Sequence, residues 1–315
     1  VLDLRHFPAA QLRPLLEDQA RRWEKRLRWN YRPAVEMLLE YVHGRILPGY
    51  VALRGSRAIG YTFWVAEATK AVVGDLYAYD EGEGIDNPVC ETLAHHLLET
   101  LQATPGIDRI ESQLLMFPAG ALAGPFGARG FRTFPRTYLV CDLTTPGLPA
   151  AAAEPPRFRL APWRDELYES AGELIHRTYV GHIDSEINDG YCSVSGSVRF
   201  LHNIVRFPGC GEFDPANSWV LQNTRTGRLE GLLLSSMVRF DSGHITQLCV
   251  APEARGQGLG RALLDRTIAG FRRRGVGFLT LTVTDANREA MRLYTGYGFL
   301  PLHRFEAMVW HATAS

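Results

Sequence analysis

The chain has 315 residues, 46% apolar and 22% charged, enough for two domains that each bury a core. Basic and acidic residues number 34 each, so the formal net charge is zero, which argues against a general nucleic-acid binder. Five cysteines without a Cys-x-x-Cys pair argue against a disulfide framework or a zinc site, and no apolar run approaches the ~18 residues of a membrane span.

Val1–His6 carries charges where a secretory signal needs an apolar block, so a cytoplasmic protein, monomer or homodimer, is expected. Trp23, Trp29 and Tyr31 lie among arginines; such a mixture can stack nucleobases, but a helix end with buried aromatics is the commoner outcome. Val51–Leu53, a turn at Arg54–Arg57 and Ile59–Val65 predict an antiparallel hairpin. A third strand, Gly74–Tyr79, leads through the acidic stretch Asp80–Asp86 to a helix with Leu93, Leu97 and Leu101 on one face. Another strand, Arg109–Leu115, and a Gly127–Phe131 turn close the first half. Leu143–Pro156, with four prolines and an alanine run, reads as a linker.

The same order of signals then recurs. Trp219–Leu221 and Leu229–Leu234 form a hairpin, Gly243–Val250 a third strand, and Leu264, Ile268 and Phe271 a helix face. Phe278–Val283 and a Gly296–Phe299 turn complete it. Gly60 and Gly231, Gly74 and Gly243, and Gly130 and Gly298 are pairs about 170 residues apart. The spacing predicts a duplicated α+β domain, 1–146 and 157–315, each a mixed, mostly antiparallel sheet flanked by helices.

Chemistry concentrates in the second copy. Arg255, Gly258 and Gly260 lie between a strand that stops at Val250 and a helix that starts at once. Glycines there let backbone N–H groups close around a diphosphate, and the helix N-terminus and Arg255 add positive charge. The dinucleotide fingerprint and the Walker loop are both absent. Downstream, Asp285 or Asn287 can cap a short helix on which Asn287, Ala290 and Tyr294 share a face.

Arg255-x-x-Gly258-x-Gly260 followed by Asn287-x-x-Ala290-x-x-Leu293-Tyr294-x-x-x-Gly298-Phe299 resembles the GNAT N-acetyltransferase superfamily, closely over Ile245–Leu302. A tandem pair in one chain is similar to the arrangement of the mycothiol synthases. The resemblance implies acetyl-CoA as donor and a small-molecule or peptide amine as acceptor; from charge, cysteine pattern and hydropathy no metal, nucleic acid or membrane is expected. It implies that Leu248, Cys249 and Val250 pair with pantetheine and that Arg255, Gly256, Gln257, Gly258, Leu259, Gly260 and Arg261 hold the pyrophosphate. Asn287 would lie near the pantetheine, and Tyr294 would protonate the departing thiolate. A CoA-binding scaffold without catalysis is the other class; intact Tyr294 and Asn287 favour the enzyme.

The general base is open at this level. His244 alternates with Thr246, Leu248 and Val250 onto one strand face and titrates in a suitable range. Ordered water, or an acid among Asp184, Glu186 and Asp189, is the alternative; three acids in a polar loop are more often merely solvated. Cys249 reads as a small buried residue. In the first copy Asp80–Asp86 would repel a pyrophosphate, Phe126 aligns with Tyr294, and Ala119 with Asn287. That copy is expected to be degenerate and non-catalytic.

Overall fold

The computed structural model describes residues 1–79, 87–145 and 156–312; the acidic Asp80–Asp86 stretch and residues 146–155 of the expected linker lie outside them. In chain order the elements begin with β1 (Leu2–Asp3), α1 (Ala9–Leu27), α2 (Arg32–His43), β2 (Gly49–Arg54), β3 (Arg57–Glu67) and β4 (Lys70–Ala78). There follow α3 (Pro88–Ala103), β5 (Arg109–Gln113), α4 (Ala123–Gly127), β6 (Arg132–Asp142) and β7 (Phe158–Pro162). Next come α5 (Tyr168–Tyr179), α6 (Ile183–Ile187), α7 (Val194–Arg206), β8 (Glu212–Phe213), β9 (Trp219–Asn223) and β10 (Leu229–Arg239). The last are β11 (Ser242–Val250), α8 (Leu259–Arg273), β12 (Phe278–Thr284), α9 (Arg288–Gly296) and β13 (Leu300–His311).

Two compact units result, and they are not contiguous in sequence. Val1–Arg136 joins His303–Ser315 in one, and Thr137–Leu302 forms the other. The chain therefore changes unit within β6 and β13, not at the linker between 1–146 and 157–315. The first unit's sheet runs β1-β2-β3-β4-β5-β13, with β4 and β5 parallel and the other pairs antiparallel. The second runs β6-β12-β11-β10-β9-β7, with β11 and β12 parallel.

Helices cover these sheets along the predicted stripes. Leu93, Leu97 and Leu101 of α3 are buried with Leu76, Ile110 and Met308; Leu264, Ile268 and Phe271 of α8 are buried in the second unit's core. Asn87 starts α3 by accepting from Val89 N (3.0 Å) with Pro88 in the first turn, and Gly275 (φ 73°) ends α8 while Val276 N bonds Phe271 O. Trp23 stacks on Tyr31 at 4.5 Å and Trp29 is buried, so these aromatics pack against one another at the end of α1. No helix among the described residues is long and apolar enough to cross a membrane.

The duplication is visible in detail. Gly130 and Gly298 both have φ of 79°, and Phe131 N bonds Phe126 O as Phe299 N bonds Tyr294 O, each at 3.2 Å. Phe126 thus stands where Tyr294 does. One equivalence changes. Phe63 pairs with Asp75 and Trp64 with Val73, leaving Gly74 as a bulge; Leu234 pairs with Gln247 and Ser235 with Ile245, leaving Thr246 as a bulge. Gly74 therefore matches Thr246, not Gly243, and Asp75 matches Gln247.

Candidate functional site

The bulge at Thr246 organises the second unit's site. Parallel pairing of β11 with β12 ends at Ile245 and Leu281, although β11 continues to Val250 and β12 to Thr284. Beyond that point the two strands part, and the β11 backbone facing β12 loses its partner. Such an edge can pair with an extended ligand arm as a further strand would.

An extra residue also inverts side-chain parity. Before the bulge, a Cβ on Gly243 would meet the Phe271 ring of α8 at 2.7 Å. After it, Leu248 and Val250 are the residues that approach α8, within 4.0 Å of the Gly260 Cβ position. His244 therefore faces away from Leu248 and Val250, contrary to simple alternation.

Its surroundings correct the expectation that His244 is the general base. The side chain is buried, its Nδ1 lies 2.9 Å from Thr280 Oγ1, and the ring stacks on Tyr138. Burial pushes its pKa down to about 3, so the imidazole is neutral and a poor proton acceptor. It is a core histidine.

The glycine loop matches its expected shape. Pro252–Ala254 forms a single 3-10 turn, Gly256 and Gly258 adopt φ of 73° and 76°, and α8 starts at Leu259. Neither glycine has a heavy atom within 4 Å of its Cβ position, so open space lies over the loop. No side chain among the described residues caps α8, which leaves its first N–H groups to an incoming acceptor. Arg255, Gln257 and Arg261 are exposed around the turn. Arg255 reaches back to Val250 O (3.4 Å) and Thr178 O (3.5 Å). Leu259 is buried, and Leu293 of α9 lies 3.5 Å from the Gly260 Cβ position.

On α9, Asn287 and not Asp285 is the cap: its Oδ1 accepts from Ala290 N at 3.1 Å. Asp285 instead accepts from the Thr137 hydroxyl. Tyr294 is 6% exposed and its ring packs against Phe299. Its hydroxyl has no hydrogen-bond partner among the described residues. Burial first, then the charge of Asp184 and the proximity of Cys249, push its pKa up, so the phenol keeps its proton.

Sequence reasoning missed the wall opposite α8. Tyr179 and Tyr191 stack at 4.2 Å, and both hydroxyls meet the side chain of Gln247, the first residue past the bulge. Cys249 lies on the same face, buried, with its thiol pushed up to about 12, which makes it a packed thiol and no nucleophile. Tyr179 and Tyr191 belong to no spaced motif, and only the inverted parity aims Gln247 at them.

The corresponding strand position in the first unit carries an acid. Asp75, at the Gln247 position, is buried and accepts from Gln19 Nε2 (2.6 Å), Tyr31 Oη (3.0 Å), Tyr61 Oη (3.1 Å) and Leu76 N. Its pKa is raised, chiefly by burial.

Residues 177–299 match the acetyltransferase (GNAT) family. The mycothiol acetyltransferase of Beutenbergia cavernae is 38% identical over 90 residues, which span 29% of this chain and only 30% of that relative. The mycothiol acetyltransferase of Propionibacterium freudenreichii is 26% identical over 259 residues, 80% of this chain and 78% of its own. A tandem GNAT protein from the clavulanic acid biosynthesis pathway superposes with a TM-score of 0.60 at 18% identity, covering 85% of this chain and 84% of that one. That last likeness is one of fold.

Proposed function

We propose that this chain is a tandem member of the GNAT superfamily, arranged like the mycothiol synthases, and that its second unit, whose residues 177–299 match the acetyltransferase (GNAT) family, is an acetyl-CoA-dependent N-acetyltransferase. The acceptor is a primary amine of a small molecule or peptide, attacked directly in a ternary complex. The observation that carries this reading is the strand parting beyond Ile245, flanked by an uncapped helix start and an unpartnered tyrosine. Pantetheine lies along Leu248–Val250, and the pyrophosphate sits in the open space over Gly256 and Gly258, with Arg255 and Arg261 beside it. Neutral Tyr294 gives its proton to the departing thiolate. A backbone N–H of the unpaired β11 edge faces the tetrahedral oxygen.

The first unit shares the parting, since β4–β5 pairing ends at Val73 and Ser112 while β4 runs on to Ala78, but it lacks the groups that flank the second unit's opening. Its equivalent strand position carries Asp75, a buried acid held by four donors where the second unit has Gln247, and Phe126 offers no hydroxyl. It serves as a non-catalytic partner. The test is a panel of primary amines with acetyl-CoA and thiol release as readout, beside calorimetric titration of CoA. Amine-dependent thiol release and one CoA per chain support the reading. CoA binding without turnover of any amine would favour a scaffold, and two equivalent sites would contradict the silent first unit.

A further inference from the structure

With His244 in the core, the amine needs another proton acceptor, because an ammonium has no lone pair with which to attack a thioester. The neighbours of Tyr294 narrow the choice. Gln247 does not ionise and is held by two tyrosines, and the Cys249 thiol is buried. Asp184 differs from both. It sits in the first turn of α6, with its Oδ1 accepting from the hydroxyl of Thr284, the last residue of β12. That bond fixes the carboxylate over the opening where β12 leaves β11. Its Oδ2 lies 3.5 Å from His182 Nδ1, which itself accepts from Asp184 N at 3.1 Å and so holds the turn in place.

A second feature points to a ligand there. Tyr294 is more than nine-tenths buried, its hydroxyl has no partner among the described residues, and it lies within electrostatic reach of Asp184. An acid and a phenol without a partner among the described residues thus lie close to one another. Glu186, two residues further along α6, is exposed on another side of the turn.

We propose that Asp184 binds the acceptor's ammonium and takes its proton, with Thr284 as the positioning residue. The proposal rests on the acyl-transfer reading above. An N–H proton passes to the carboxylate, and the freed lone pair forms the C–N bond at the acetyl carbonyl. As the C–S bond breaks, its electron pair goes to sulfur, which takes the Tyr294 proton. The phenolate recovers a proton from the new amide nitrogen, and Asp184 releases its own to solvent.

The test uses the full chain, acetyl-CoA and two probes of similar size: benzylamine, protonated near neutral pH, and aniline, which is not. Asp184→Asn still accepts from Thr284, so the fold should hold, and thermal melting checks this. The benzylamine rate should fall roughly 10²–10⁴-fold, and the benzylamine-to-aniline ratio should fall with it. Raising the pH should restore part of the benzylamine rate, as the amine loses its proton unaided. Asp184→Glu should retain part of the activity, and Thr284→Val should lower kcat more than it raises KM. An unchanged ratio in a folded Asp184→Asn protein overturns the proposal. If wild type binds acetyl-CoA yet acetylates neither probe, the amine reading fails and Asp184 loses its role; if it does not bind acetyl-CoA, the donor reading fails first.

Discussion

By sequence Tyr294 is the general acid that the resemblance implies and His244 one candidate base among several, and their environments separate them. Tyr294 is buried, and its hydroxyl has no hydrogen-bond partner among the described residues. Tyr294→Phe removes one oxygen, and Phe126 at the equivalent place shows that the packing accepts it. Turnover should fall roughly 10²–10⁴-fold with acetyl-CoA affinity little changed. A near-normal kcat in a folded variant would remove the general-acid role. His244 makes a stability prediction instead. Its folded pKa of about 3 lies below its unfolded 6.5, so between these values the unfolded chain binds a proton that the native one does not. Stability should therefore drop as pH falls from 6.5 toward 3, by on the order of a few kcal/mol. His244→Gln should flatten that slope in urea titrations of the second unit, whatever it costs at pH 7.

At the scale of elements, a bulge and a helix start make the site. The bulge parts β11 from β12 and turns Gln247 and Cys249 toward α5, while the glycine turn delivers the α8 N-terminus. Gly258→Glu should abolish CoA binding. A side chain at φ 76° is strained, and its carboxylate would enter the space left for phosphate. Thermal melting close to wild type alongside lost CoA binding separates this from unfolding. Retained micromolar affinity would mean that the pyrophosphate lies elsewhere. The Arg-x-x-Gly-x-Gly spacing was legible because strand, glycines and helix follow one another along the chain. The bulge was not, since Thr246 has no local mark of an unpaired residue.

For the whole molecule, the exchange of segments sets where the chain can be cut. Residues 157–315 would lack β6, and with it Tyr138 against His244, the Thr137–Asp285 bond and Leu143 N on Gly277 O. That fragment would also carry Phe305, Ala307, Met308 and Val309, which are buried as part of the first unit. It should aggregate, whereas residues 137–302, cut at the unit's own limits, should be monodisperse and melt cooperatively. Gel filtration and calorimetry of the two fragments decide this; equal behaviour would mean that β6 contributes little.

Sequence alone determined the duplication, the hairpins, the helix stripes and the phosphate-loop signature, because each arises from contacts a few residues apart or from direct repetition. Tertiary structure decided the rest. A single unpaired residue shifts side-chain parity, so the face on which His244 lies depends on its pairing with β10 and β12. Asp184 and Thr284 meet from positions 100 residues apart, and Asp75 gathers donors from α1, the chain before α2, β3 and its own neighbour Leu76. The linker looked like the boundary because proline-rich composition is local. Membership of β6 and β13 was settled by which sheet edge each strand could complete, and no local pattern encodes that.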